Sequence, residues 1–262
     1  MVKKFLSRFY IGIILLFLYA PIFILIILSF NKSKSRSKWG GFTLNWYSEL
    51  FKNDDLMSAL STTLIIAIIS AVIATLIGTA AAIAINSMNK TPRTIMLGIT
   101  NIPMLNADIV TGISLMLIFV ALNFTLGFTS VLLAHITFNI PYVILSVMPK
   151  LRQLNPHTYE AALDLGASPF YAFFRVILPD IFSGVLSGFF LSFTMSLDDF
   201  VITYFTKGPE INTLSTKIYT EVRKGIKPEI YALSTLMFVT VLLLLIFVNR
   251  KSDGKNTLQR KM

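Results

Sequence analysis

Six apolar runs, each long enough to cross a bilayer as a helix, dominate this 262-residue chain. They cover residues 10–30, 58–85, 95–122, 128–149, 181–205 and 229–248. A helix needs about 20 mostly apolar residues to span the hydrocarbon layer. In lipid the backbone must satisfy its hydrogen bonds within the segment, so each run is read as a helix. With 55% hydrophobic and only 14% charged residues, the chain has too little polar surface for a soluble domain of this length. The expected fold is therefore an all-α integral membrane protein, one domain over residues 1–262. Lys3, Lys4 and Arg8 precede the first run, but no small-residue cleavage site follows it before Asn31, so it is read as a retained span.

The net charge of +10 raises the question of nucleic acid. The basic residues lie in short segments between the apolar runs, which fits lipid headgroups rather than nucleic acid. The chain has no cysteine, which excludes disulfides, thiolate metal sites and cysteine nucleophiles. Six spans put both termini on one side. With that side cytoplasmic, a little over half of the 23 Lys and Arg residues face inward, the direction expected of a plasma-membrane protein. The loops 31–57 and 206–228 are then unusually basic for outer loops. In the first of them Thr43 is placed to cap a short helix over residues 45–52. Trp46, Leu50 and Phe51 would share one face of it, as an aromatic anchor at the interface.

Residues 150–180, between the fourth and fifth runs, read KLRQLNPHTYEAALDLGASPFYAFFRVILPD. Asn155 followed by Pro156 is a helix start, and Gly166 suits a left-handed helix end. Ser168 and Pro169 repeat the start signal, and a second short helix is expected to about Val176 before Leu178-Pro179 opens the next span. Tyr159, Ala162, Leu163 and Gly166 would share one face, and Phe170, Phe173, Phe174 and Ile177 another. Apolar side chains on a water-side loop need a partner.

This segment resembles the signature of bacterial ABC importer permeases: Glu-Ala-Ala, three residues, Gly, nine residues, Ile-x-Leu-Pro. Glu160, Ala161, Ala162, Gly166, Leu178 and Pro179 match it, with Ser168 in the same turn, and Val176 stands at the Ile position. Further stretches, among them GFTLNWYSELF, LAHITFNIPY and LSFTMSLDDFVITYFTKGP, are similar to the PotC-type permeases of spermidine/putrescine importers. The resemblance implies the type I importer permease fold and a coupling hairpin, at 150–180, docked on an ATPase subunit. It also implies a second homologous permease making a heterodimer, two ATPase subunits carrying ATP and Mg, and an extracytoplasmic polyamine-binding protein.

Three acids stand out within the spans: Asp108, Asp198 and Asp199. Acids at the bilayer centre are costly, about 2.5–3.5 kcal/mol on insertion scales, so they are read as substrate-pathway residues for a multivalent cation. At about 1.5 Å rise per residue, Asp108 falls roughly 20 Å and Asp198 about 25 Å from the inner ends of their spans. Adjacent helical residues diverge by about 100°, so Asp198 and Asp199 cannot both face one pore. Either could instead bond to Thr194, Ser196 or Thr203. Asn101, Pro103 and Asn106 interrupt the third span beside Asp108, as broken helices lining a cavity do.

Other polar residues are read as structural. His135 suits a packing or hydrogen-bonding role, His157 is a loop residue, and Gly184 with Gly188 forms a small-residue seam for helix packing. No metal-ligand cluster and no catalytic pair is evident. The chain has no phosphate-binding glycine loop, so ATP hydrolysis must belong to a partner. An ion-coupled secondary transporter would show inverted repeats, which are not seen, and a passive membrane anchor leaves the buried acids without a use. Within the permease class the alternative solutes are a metal ion, an oxyanion or an aminophosphonate; the acids disfavour an anion.

Overall fold

The computed structural model describes residues 2–35, 37–155, 157–240 and 242. Its elements are helical: α1 (Val2–Ser29), α2 (Asn45–Lys52), α3 (Asp54–Ser87), α4 (Lys90–Leu105), α5 (Asp108–Ala121), α6 (Phe128–Gln153), α7 (His157–Asp164), α8 (Pro169–Ala172), a π-helical turn Phe173–Ile177, α9 (Leu178–Asp198), α10 (Val201–Thr206) and α11 (Leu214–Lys224). Residues 228–240 are also helical. Among the described residues four helical stretches are long and apolar enough to cross a membrane: Arg8–Ser29, Asp54–Ser87, Phe128–Gln153 and Pro169–Asp198. α4 and α5 make a fifth if counted as one span, but they meet at 101°. The expected sixth span at 229–248, and the tail beyond it, lie in part or wholly outside the described residues.

Three expected boundaries change. The third span is not one helix: Asn106 leaves α4 with an extended backbone, ψ 149°, and α5 starts afresh at Asp108. The fifth span ends at Asp198, because Asp199 is extended, and α10 follows separately. The second hairpin helix does not stop at Val176 but runs on into α9 through the π turn. Pro179 has no N–H to give to the Arg175 carbonyl, and Leu178 N–H reaches back five residues to Phe173 O, so the extra residue absorbs the mismatch. α6 likewise continues past Pro149 to Gln153.

The chain forms two compact units, Met1–Met57 with Ile218–Met262, and Ser58–Lys217. In the first, most α1 side chains from Phe9 to Phe23 are exposed, as a lipid-facing helix requires. The turn after it is organised by the buried Asn31. Its Oδ1 accepts from the N–H groups of Ser33 (3.1 Å) and Gly40 (2.8 Å), and its Nδ2 donates to Lys38 O (2.9 Å). Trp46 is no interface anchor: it is buried, and its Nε1 donates to Asn31 O at 2.7 Å. Leu50 is buried with it, whereas Phe51 points outward. The cap position of α2 is Leu44 rather than Thr43, whose hydroxyl accepts from Asn45 N–H in a local turn.

In the second unit α3, α6 and α9 pack along small residues, because lipid supplies no hydrophobic drive and close approach must provide the dispersion contacts. A Cβ on Gly184 would lie 3.0 Å from Ser146 O, and one on Gly188 would lie 3.3 Å from Val143 Cα, so α9 presses directly on α6. On α3 a Cβ at Gly78 would sit 2.7 Å from Val143 Cβ and 3.2 Å from Ile140 O. Around this seam Ala74, Ile85, Val143, Val147, Leu151 and Ile181 form a hydrophobic core. Gly78→Val should force α3 away from α6, and overpacking of a tight core costs about 1–3 kcal/mol. The expected result is a lower melting midpoint of the detergent-solubilised protein; an unchanged midpoint would show that the seam yields.

Candidate functional site

Two places bring the sequence-selected residues together. The first is the hairpin after α6. Asn155 Oδ1 accepts from His157 N–H at 3.0 Å and starts α7. Gly166 ends it at φ +86°, with Gly166 N–H on Leu163 O (2.9 Å) and Ala167 N–H on Ala162 O (3.1 Å). That pair of bonds is a Schellman motif, which requires a left-handed residue at this position. Ser168 Oγ then accepts from Tyr171 N–H, with Pro169 in the first position of α8. Glu160 lies in the first turn of α7, where a carboxylate suits the helix dipole. His157 is its partner at 3.2 Å, so it belongs to the helix and not to a loop.

The two apolar faces expected here divide. Ala172 is buried, Ile177 packs against the main core, and Phe173 is half-buried beside them. Phe170 (78% exposed), Phe174 and Tyr171 turn outward, and Leu165, 90% exposed, stands beside Gly166. Phe170 and Phe174 stack at 6.1 Å. An open concavity is lined by Ala162, Leu165, Gly166, Ala167, Tyr171 and Val176. Leu165, Phe170, Tyr171 and Phe174 together form an exposed apolar and aromatic set on a short capped turn.

The second place is the pair of helix breaks. Asp108 is the first residue of α5 and exposed; Asp198 is the last residue of α9 and exposed. Among the described residues no cation pairs with either. Because both spans break beside these acids, depths measured along straight helices do not apply to them. Asp199 behaves differently. Its carboxylate accepts from Ile202 N–H (3.3 Å), Thr203 N–H (2.7 Å) and Thr203 Oγ1–H (2.8 Å), so it caps α10 and is 9% exposed. His135 Nε2 lies 3.5 Å from the same oxygen. Thr194 bonds to its own helix at Phe190 O, and Ser196 is turned to His135. Ser70 and His135 entered no expected site; their signal in the sequence was polarity at buried positions of apolar spans.

α5 is held against α10 by Gly112, where a Cβ would lie 3.3 Å from Ile202 Cα. Phe119 of α5 and Ile202 of α10 share a second core with Ala134 and Phe138 of α6. Lys207, just past α10, donates to Ile211 O (3.1 Å) and Asn212 Oδ1 (2.9 Å). Burial holds its ammonium below the ordinary lysine range.

Comparisons with known proteins agree on one kind of chain. A family model described as binding-protein-dependent transport system inner membrane component matches residues 74–255. The chain is 40% identical over 246 residues to the spermidine/putrescine transport system permease protein PotC of Escherichia coli (strain K12), covering 94% of this chain and 93% of that protein. It is 40% identical over 232 residues to the putrescine transport system permease protein PotI of the same organism, covering 86% and 83%. Among solved structures it is similar to a chain of a bacterial ABC transporter involved in the import of the acidic polysaccharide alginate, with a TM-score of 0.72, 18% identity and 95% of each chain covered. At that identity the likeness is one of fold.

Proposed function

Because the chain belongs to the family of binding-protein-dependent transport system inner membrane components, we propose that it is a permease subunit of an ATP-driven polyamine importer, sharing the membrane pathway with a second, homologous permease. It is a multi-pass membrane protein of the ABC importer permease fold. The observation that carries the reading is the hairpin: a Schellman turn at Gly166 displays Leu165, Phe170, Tyr171 and Phe174 to a partner. That partner is one of two ATPase subunits, which hold ATP and Mg and hydrolyse the nucleotide; this chain only receives the motion. An extracytoplasmic binding protein delivers the solute.

The substrate class rests on two supports. Both relatives named above are permeases of polyamine systems. Two exposed carboxylates, Asp108 and Asp198, stand at helix breaks within expected spans, with no cation paired to either among the described residues. A flexible polycation leaving water needs spaced negative partners, and a low-dielectric pathway strengthens that attraction. Asp199 serves the pathway by shaping it, its own oxygens being taken up by α10.

Both termini and the hairpin face the cytoplasm in this reading. The test is ATP-dependent spermidine uptake into proteoliposomes holding the chain with its permease, ATPase and binding-protein partners. Cysteine at position 160 of the otherwise Cys-free chain should react with an impermeant thiol reagent only after cells are opened. Reaction in intact cells would invert the topology, and absence of ATP-dependent spermidine or putrescine uptake would remove the substrate assignment.

A further inference from the structure

His135 sits at the crossing of four helical segments and is 1% exposed. Its Nδ1 lies 2.5 Å from Ser196 Oγ on α9, and its Nε2 lies 2.9 Å from Thr203 Oγ1 on α10 and 3.5 Å from Asp199 Oδ2 at the break between them. Ser70 on α3 donates to Ser196 Oγ at 3.1 Å. Thr203 Oγ1–H is spent on Asp199 Oδ2, so its lone pair accepts from His135 Nε2–H. On the other side of the ring Nδ1 meets Ser196 Oγ. The chain of contacts runs Ser70, Ser196, His135, Thr203, Asp199. It ends on a carboxylate satisfied by two N–H groups and a hydroxyl.

We propose that His135 is a positioning residue that locks the break at 199–200 and thereby sets the spacing of the two exposed acids, Asp108 and Asp198; this rests on the polyamine-permease reading above. The imidazole holds the chain on both sides of the break, Ser196 before it and Thr203 after it. With the break held, Asp199 is extended and turned inward, and Asp198 ends α9 facing outward. A helix running on through 199–200 would instead rotate the following residues by about 100° per position and carry α10 away from its seat. That seat matters for the other acid. α10 carries Ile202, against which Gly112 of α5 is pressed, and Gly112 lies one turn beyond Asp108. Asp198 precedes the locked segment and Asp108 is anchored to it, so the lock is the common reference for both.

Spacing of two charges acts on a flexible polycation through its length. Loosening the lock should therefore alter the preference among polyamines more than the maximal rate. A structural defect alone would lower the rate and the amount of complex and leave the preference unchanged. In proteoliposomes normalised to assembled complex, His135→Leu should shift the ratio of apparent affinities for spermidine and putrescine by at least about tenfold, the factor of one lost hydrogen bond to a charged group. His135→Gln, whose Nε2 can still donate to Thr203 and Asp199, should restore most of the parental ratio. Thr203→Val, which keeps the shape and removes the bridging hydroxyl, serves if His135→Leu does not assemble.

A second arm needs no polyamine. Cysteine placed at 198 in this Cys-free chain should change its labelling rate with a methanethiosulfonate reagent when His135→Leu is added, and recover with His135→Gln. A changed rate supports the lock even if the parent fails to carry spermidine, a result that would defeat the substrate assignment alone. A parental affinity ratio together with a parental labelling rate, in His135→Leu or in Thr203→Val at equal complex, overturns the lock.

Discussion

Gly166→Val is expected to abolish most ATP-driven uptake while the chain still inserts and assembles. Gly166 has φ +86°, and nothing lies within 4 Å of where its Cβ would be. Space is therefore not the obstacle. Only the backbone conformation is, and a β-branched residue is a strong outlier there. Holding a non-glycine residue in the left-handed region costs about 1–2 kcal/mol, enough to shift the turn but too little to unfold a membrane bundle. The Schellman bonds to Leu163 O and Ala162 O would be lost, and α7 would no longer meet α8 at its present angle. Leu165, Phe170, Tyr171 and Phe174 would then present a different surface to the ATPase. Gly166→Asn should retain most uptake, because asparagine tolerates this conformation, and Gly166→Ala should fall between. The measurement is initial uptake and ATPase rate side by side at equal complex. Parental uptake in Gly166→Val would remove the turn from the coupling mechanism.

Much of the fold was legible because bilayer thickness imposes run length, and run length survives in a single sequence. What run length does not record is direction. Residues 95–122 are apolar almost throughout, yet α4 and α5 meet at 101°. Asn101, Pro103 and Asn106 announced an interruption, but no periodicity states the angle, which is set by two residues, Asn106 and Ala107, in extended backbone. At the fifth span even the interruption was silent, since Asp199 breaks the helix through side-chain bonds made only once α10 is in place. Trp46 shows the same limit. Its pattern suited an interface anchor, and the decisive contact, Nε1 on Asn31 O, spans 15 residues of a turn that composition does not encode.

The candidate sites divide along the same line. The hairpin is local: every bond that shapes it joins residues at most five apart, so caps, proline and glycine spelled it out. The acid sites are not local. That Asp199 turns inward and Asp198 outward follows from Thr203 and from His135, 64 residues earlier in the chain. Rotation about the helix forbade both acids from facing one way, and the choice between them needed the fold.

Asp108→Asn and Asp198→Asn are expected to lower spermidine uptake far more than they lower protein abundance. Asparagine keeps the size and most of the hydrogen bonding and removes the charge. Neither acid pairs with a protein cation among the described residues, so protein abundance is expected to hold in both variants. A contact between a charged group and its partner is worth about 1.5–3 kcal/mol, which is roughly a 10- to 150-fold weaker interaction once lost. The loss should appear in the substrate concentration needed for half-maximal uptake if the acid binds spermidine in the ground state. It should appear in the maximal rate if the acid acts only during passage. The double variant should lose more than either single one for the longer, triply charged spermidine, and less for putrescine, whose two charges cannot use every site at once. Asp199→Asn should act differently, since it weakens the cap on α10 and so moves the preference between polyamines. Uptake against concentration for both polyamines, normalised to assembled complex, separates these outcomes. Parental kinetics in both Asp108→Asn and Asp198→Asn would leave the two acids as structural residues and take away the charge-based support for a polycation pathway.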